Sequence, residues 1–148
     1  MDTLLTNPAF RIYAICCAIL GVKMLASAVY TGTRRQKFGG FINLEDAKTF
    51  GSPGVTARAE EAPEVAHALR IQRNDLENIP LFFAIGLIYV LSGALSTGAL
   101  ILCGVFTAAR VTHTIVYMRR LQPARAICFV TGALCTVVMM FRIVMNVL

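Results

Sequence analysis

Two groups of polar residues in this chain repeat at helical spacing inside otherwise apolar sequence. Arg70, Arg73, Asn74 and Glu77 stand at i, i+3, i+4 and i+7, and Arg110, His113 and Tyr117 at i, i+3 and i+7. On a helix each set shares one face. Guanidinium groups offer paired donors to carboxylates, a glutamate can receive an amine, and asparagine and tyrosine add neutral hydrogen bonds. A small zwitterionic or anionic molecule with several carboxylates suits such a surface. The residue types alone do not choose among such molecules.

The charge distribution sharpens the point. Seven of the eight acids fall between Glu45 and Glu77, whereas residues 78 to 148 hold five arginines and no carboxylate. Those arginines must find water, lipid phosphate, the earlier acids or an anionic ligand. A charge at the bilayer centre costs at least about 2.5 to 3.5 kcal/mol on insertion scales, so the two stripes are expected to face protein or a wet cavity. For Arg119, Arg120 and Arg142 the plainer expectation is snorkelling to lipid headgroups. Lys23, alone in an apolar run, is expected to pair or snorkel, and Asp75 and Asn78, which point away from the stripe, to pair structurally, an arginine across a subunit boundary being one candidate partner for Asp75.

The elements that carry these residues follow from hydropathy. The chain has 148 residues, 57% of them hydrophobic and 15% charged, with a mean hydropathy of +0.67, too apolar for an ordinary soluble domain. Stretches near 10 to 32, 78 to 95, 98 to 118 and 126 to 148 are each long enough to span a bilayer, which takes roughly 20 mostly apolar residues as helix. The expectation is all-α: one integral membrane four-helix domain over residues 1 to 148, with helices near 8 to 35, 63 to 93, 98 to 119 and 123 to 147. Asn7 and Pro8 suit a helix start. Residues 37 to 62, rich in glycine, proline and acids and without apolar periodicity, read as a loop. Pro80 removes a hydrogen bond to the Leu76 carbonyl and predicts a kink.

Other classes are poorly supported. Lys23 interrupts the first apolar run and no small-residue cleavage site follows it, so it reads as a span rather than a leader. Cys16, Cys17, Cys103, Cys128 and Cys135 lie in apolar runs without C-x-x-C spacing, which suits inert thiols. His67 and His113 are the only histidines, so no metal site is expected. The formal charge of +6 needs no nucleic acid, because lysines and arginines collect in the 33 to 73 segment and the 119 to 125 loop, as inner loops do. Both termini are therefore expected away from the cytoplasm. No internal repeat suggests a duplicated transporter.

Several motifs carry a family likeness: RNDLENI (73 to 79), ARVTHTIVY (109 to 117), P-x-R-A (123 to 126) and LEDAKTFG (44 to 51). By these motifs, taken in their order and spacing along the chain, the protein resembles the superfamily of membrane-associated proteins in eicosanoid and glutathione metabolism (MAPEG), in the branch of microsomal glutathione transferase 1 and microsomal prostaglandin E synthase 1. The resemblance implies a homotrimer with glutathione bound between subunits on the cytoplasmic side of a multi-pass membrane protein of the endoplasmic reticulum or a bacterial inner membrane. It implies glutathione contacts from Arg73, Asn74, Glu77, His113 and Tyr117, a charge contact from Arg35 of a neighbouring subunit and a weaker one from Arg70. Arg125 matches the arginine assigned to the thiol, and Asp46 the acid beside it in the prostaglandin branch.

A cation at the thiol favours the thiolate, the reactive form. The chain departs from the pattern in three places: Pro80 directly follows Ile79, Gln72 precedes the RND triplet, and Ala126 follows Arg125. Ala126 is the transferase choice. The implied activity is conjugation of glutathione to apolar electrophiles arriving from the lipid, with a peroxidase activity toward lipid hydroperoxides as an extension. The alternatives are a glutathione-dependent prostaglandin endoperoxide isomerase, a non-enzymatic lipid-binding scaffold and, more remotely, a small channel or transporter.

Overall fold

The computed structural model describes residues 2–38, 41–51, 54, 56–57 and 59–148. In chain order these form α1 (Asp2–Thr6), α2 (Pro8–Phe38), α3 (Leu44–Phe50), α4 (Pro63–Leu91), α5 (Ser96–Met118) and α6 (Ala124–Val147). There is no strand among the described residues. The helices α2, α4, α5 and α6 are each long and apolar enough to cross a membrane.

Local chemistry sets the boundaries. Asn7 caps α2, its Oδ1 accepting from the amides of Ala9 at 2.9 Å and Phe10 at 3.4 Å, while Pro8 supplies a first residue that needs no partner. Helix α4 continues through Pro80 to Leu91, and the chain then turns at Gly93, whose φ of +93° favours a residue without Cβ. Helix α5 closes with the amide of Leu121 on the Val116 carbonyl and that of Arg120 on Tyr117, both at 2.9 Å. This is the Schellman arrangement, with Arg120 at a φ of 58° where glycine is the usual occupant.

The segment from 37 to 62 is not loop throughout. Residues 44 to 50 form α3, with Glu45 and Asp46 in its first turn and Lys48 in its last, charges placed to favour the helix dipole. Seven residues are too few to display an apolar period. Positions 39–40, 52–53, 55 and 58 of that segment lie outside the described residues.

The chain divides into two compact units, one of residues 1–23 with 75–148 and the other of residues 24–74. In the first, Ala9, Tyr13, Cys16 and Leu20 of α2 are buried, as are Cys103, Phe106 and Arg110 of α5 and Gly132, Cys135, Thr136 and Met139 of α6. Phe82 of α4 stacks on Phe106 with centroids 4.2 Å apart, a contact worth roughly 0.5 to 1.5 kcal/mol beyond its buried area. Tyr13 donates to the Phe83 carbonyl at 2.7 Å, and a Cβ on Gly86 would stand 2.9 Å from the Tyr13 ring. That glycine lets α2 and α4 approach. All five cysteines are free thiols.

In the second unit, Phe41, Ala47, Ala62, Val65, Ala68 and Ile71 are buried. Arg34 lies over the Tyr30 ring at 4.6 Å, and Arg35 pairs with Glu61 at 2.8 Å.

Candidate functional site

Helix α4 runs unbroken through the RNDLENIP stretch, so its residues separate by face. Arg70, Arg73 and Glu77 are exposed and Asn74 half-buried, whereas Asp75 and Ile79 are buried. The exposed set carries both signs of charge. Asp75 makes the structural pair expected of it within its own chain: its carboxylate accepts from Lys23 Nζ. The cause is Lys23 itself, an ammonium deep in an apolar helix that needs an anion once water is gone. The side chains of Lys23 and Asp75 are 9% and 2% exposed.

The stripe on α5 splits in a similar way. Arg110 is wholly buried, and its Nη2 donates to Asn78 Oδ1 at 3.0 Å and to the Phe129 carbonyl at 3.5 Å. Its guanidinium lies 5.5 Å from the Phe106 ring centre and 5.4 Å from that of Phe129. A Cβ on Gly132 would come within 2.9 Å of Arg110 Nε and Nη2. Arg110 thus holds α4, α5 and α6 together, which is structural work rather than ligand binding.

One turn further, His113 is buried and meets the Tyr117 ring edge-on, centroids 5.6 Å apart. Its Nδ1 is buried without a hydrogen-bond partner among the described residues. The half-buried Tyr117 in turn supports Arg125, whose guanidinium sits 4.5 Å over the tyrosine ring. With its amide turned so that the oxygen faces Arg125, the orientation that satisfies both side chains, Gln122 accepts from Nη2 at 2.7 Å and from Nε at 3.0 Å. A ring face and a single amide oxygen that accepts two N–H groups therefore fix one face and one edge of this cation.

Arg125 also opens α6, whose first turn has no acid and no side-chain cap. The helix dipole is positive at that end. A cation there is unfavourable alone and favourable once an anion joins it, so both groups favour a negatively charged atom at this place.

His113, Tyr117 and Arg125 are thus brought together. Arg35 is brought to Glu61, and Asp46, half-buried in the other unit, accepts from Asn43 Nδ2 at 3.2 Å. Gln122 was absent from the residues singled out in sequence; an amide three positions before an arginine across a proline turn is the only signal that pointed to it. Among the described residues no three histidines, cysteines or acids cluster as metal ligands would.

Comparison with known proteins runs the length of the chain. The MAPEG family matches residues 13–145. Prostaglandin E synthase of Homo sapiens is 32% identical over 131 residues, which are 88% of this chain and 84% of that protein. Microsomal glutathione S-transferase 1 of Sus scrofa is 35% identical over 149 residues, covering 97% of this chain and 94% of the relative. The Rattus norvegicus protein of that name is 34% identical over 145 residues. With four helices long and apolar enough to cross a membrane and the family match spanning residues 13–145, the chain belongs to the MAPEG family.

Proposed function

We propose that this chain is a membrane-bound glutathione transferase that adds the glutathione thiolate to apolar electrophiles. The observation that carries the reading is Arg125, fixed by Tyr117 and Gln122 at the positive start of α6. Near full-length likeness to microsomal glutathione S-transferase 1 supports it. Arg73 and Arg70 offer donors to the two carboxylates of glutathione, Glu77 receives its ammonium, and Asn74 adds a neutral hydrogen bond. His113 Nδ1, without a hydrogen-bond partner among the described residues, and the Tyr117 hydroxyl supply further polar contacts.

In the proposed reaction the thiol proton leaves to solvent and the thiolate electron pair attacks the electrophilic carbon. The new carbon–sulfur bond forms as the leaving group departs with its own pair. Arg125 lowers the thiol pKa by favouring the anion, so no metal is required. The electrophile arrives from the membrane along the apolar helix walls. The exposed charges of α4 suit a site completed by neighbouring copies in a homotrimer, with Arg35 contributing across the boundary and the site on the cytoplasmic side. Asp46 would act beside Arg125 if the chain also handles endoperoxides.

A second reading has its own support in the likeness to prostaglandin E synthase: isomerisation of a prostaglandin endoperoxide with glutathione. Purified protein with glutathione, offered an aromatic halide and a prostaglandin endoperoxide in parallel, separates the two. Conjugate formation with the halide is expected. Isomerised endoperoxide without any conjugate would establish the second reading instead, and neither product would remove both.

A further inference from the structure

In the first unit, at the end of α6 remote from Arg125, a cavity of about 340 Å³ lies between the close of α4, the turn at Gly93, the start of α5 and the close of α6. It takes no part in the proposed chemistry. Seventeen residues separate Arg125 from Arg142 along α6, or roughly 26 Å at 1.5 Å per residue.

Charge is scarce at this end. Arg142 lines the cavity and is the one charged residue from 126 to 148, with no acid anywhere from 78 to 148. It is exposed and lines the cavity beside the turn at Gly93, which joins two helices long and apolar enough to cross a membrane, the kind of place where phospholipid headgroups meet the hydrocarbon. An unspecific snorkelling arginine needs no cavity beside it, yet this one has a shaped polar wall. Tyr89 is only 4% exposed, and a Cβ on Gly98 would stand 2.6 Å from its hydroxyl. Glycine at that position is what leaves the hydroxyl its room. Asn146 donates to the Ser92 carbonyl at 3.2 Å, which ties the end of α6 to the turn and fixes the amide at the rim. Leu95 and Leu102 supply an apolar side.

A guanidinium, a hydroxyl and an amide set around an apolar wall recognise an anionic head joined to an acyl chain. Guanidinium pairs with carboxylate and phosphate alike, but three polar groups arriving from two helix ends, the close of α4 and the close of α6, suit the oxygens of a tetrahedral phosphate better than a planar carboxylate. We propose that the cavity holds one phospholipid molecule, its phosphate on Arg142 between Tyr89 and Asn146 and an acyl chain along Leu95 and Leu102.

Native mass spectrometry of the full chain, stripped of lipid in detergent and titrated with dioleoyl phosphatidylglycerol, tests this. One retained lipid per chain is expected, with Arg142→Gln lowering the bound fraction at least about fivefold, as loss of a hydrogen bond to a charged group implies. Asn146→Leu is expected to lower it less. Unchanged glutathione affinity in both variants, read by calorimetry, shows that they are folded. Retention equal in the parent and Arg142→Gln, or equal for dioleoylglycerol, which has no phosphate, overturns the proposal. So does oleate or inorganic phosphate binding with the same dependence on Arg142 while the phospholipid is not retained.

Discussion

Lys23 of α2 donates to the carboxylate of Asp75 of α4 where both side chains are removed from solvent. Breaking a buried pair from one side leaves an uncompensated charge and costs about 3 to 5 kcal/mol. Asp75→Leu and Lys23→Met are each expected to lower the thermal unfolding midpoint in detergent strongly, and the double variant to recover most of the loss. Single variants that unfold at the parental temperature contradict the pairing.

Arg125→Ala is expected to reduce the fraction of bound glutathione present as thiolate at neutral pH by about tenfold or more, a change equivalent to one pKa unit. Removing a cation raises the thiol pKa, so the rate profile moves toward higher pH. Glutathione affinity is expected to be largely spared, because the proposed carboxylate contacts lie on α4. Ultraviolet absorbance of the thiolate, followed through a pH titration, reads both effects; an unchanged signal removes Arg125 from its role.

Glu77→Ala is expected to weaken glutathione binding by about tenfold, since hydrogen bonds to charged groups are worth about 1.5 to 3 kcal/mol. Calorimetry measures it directly. Glutathione lacking its amino group should bind parent and variant alike, and a variant of parental affinity for glutathione itself would falsify the ammonium assignment.

Gly132→Ala places a methyl 2.9 Å from Arg110 Nε and Nη2, and that guanidinium is already tied to Asn78 and the Phe129 carbonyl. Overpacking of this kind costs about 1 to 3 kcal/mol. A lower unfolding midpoint is expected, and an unaltered one means that Arg110 can move at no cost.

Arg120 occupies a left-handed position at the close of α5, which costs an L-residue roughly 1 to 2 kcal/mol. Arg120→Gly relieves that strain, offset in part by the greater entropy glycine loses on folding. A midpoint raised by a few degrees is the expected outcome; a lowered one shows that the arginine side chain makes a contact of greater value than the strain.

The spans were legible because length and hydropathy decide them, and Asn7-Pro8 marked the start of α2 for a stated chemical reason. Helical spacing also placed Arg110, His113 and Tyr117 on one face. Spacing could not say how far along that face ligand chemistry gives way to packing, because the answer lies in residues distant in sequence. Arg110 is claimed by Asn78 and Phe129, whereas Tyr117 meets Arg125. The partner of Asp75 was hidden for the same reason: Lys23 lies 52 positions away. Helix α3 was hidden for another: it has seven residues, with acids in its first turn and a lysine in its last, too short a run to show an apolar stripe.

Helix α6 buries Gly132, Cys135, Thr136 and Met139 and leaves residues such as Leu134, Val137, Phe141 and Val144 exposed. An outward position that meets acyl chains asks only for greasiness, and valine, leucine and phenylalanine are interchangeable there. The four inward positions ask for particular volumes, one of them set by a guanidinium. Divergence among relatives along this helix should therefore keep time with the helical turn, fast on the beats that meet lipid and slow at every third or fourth residue that faces its own chain.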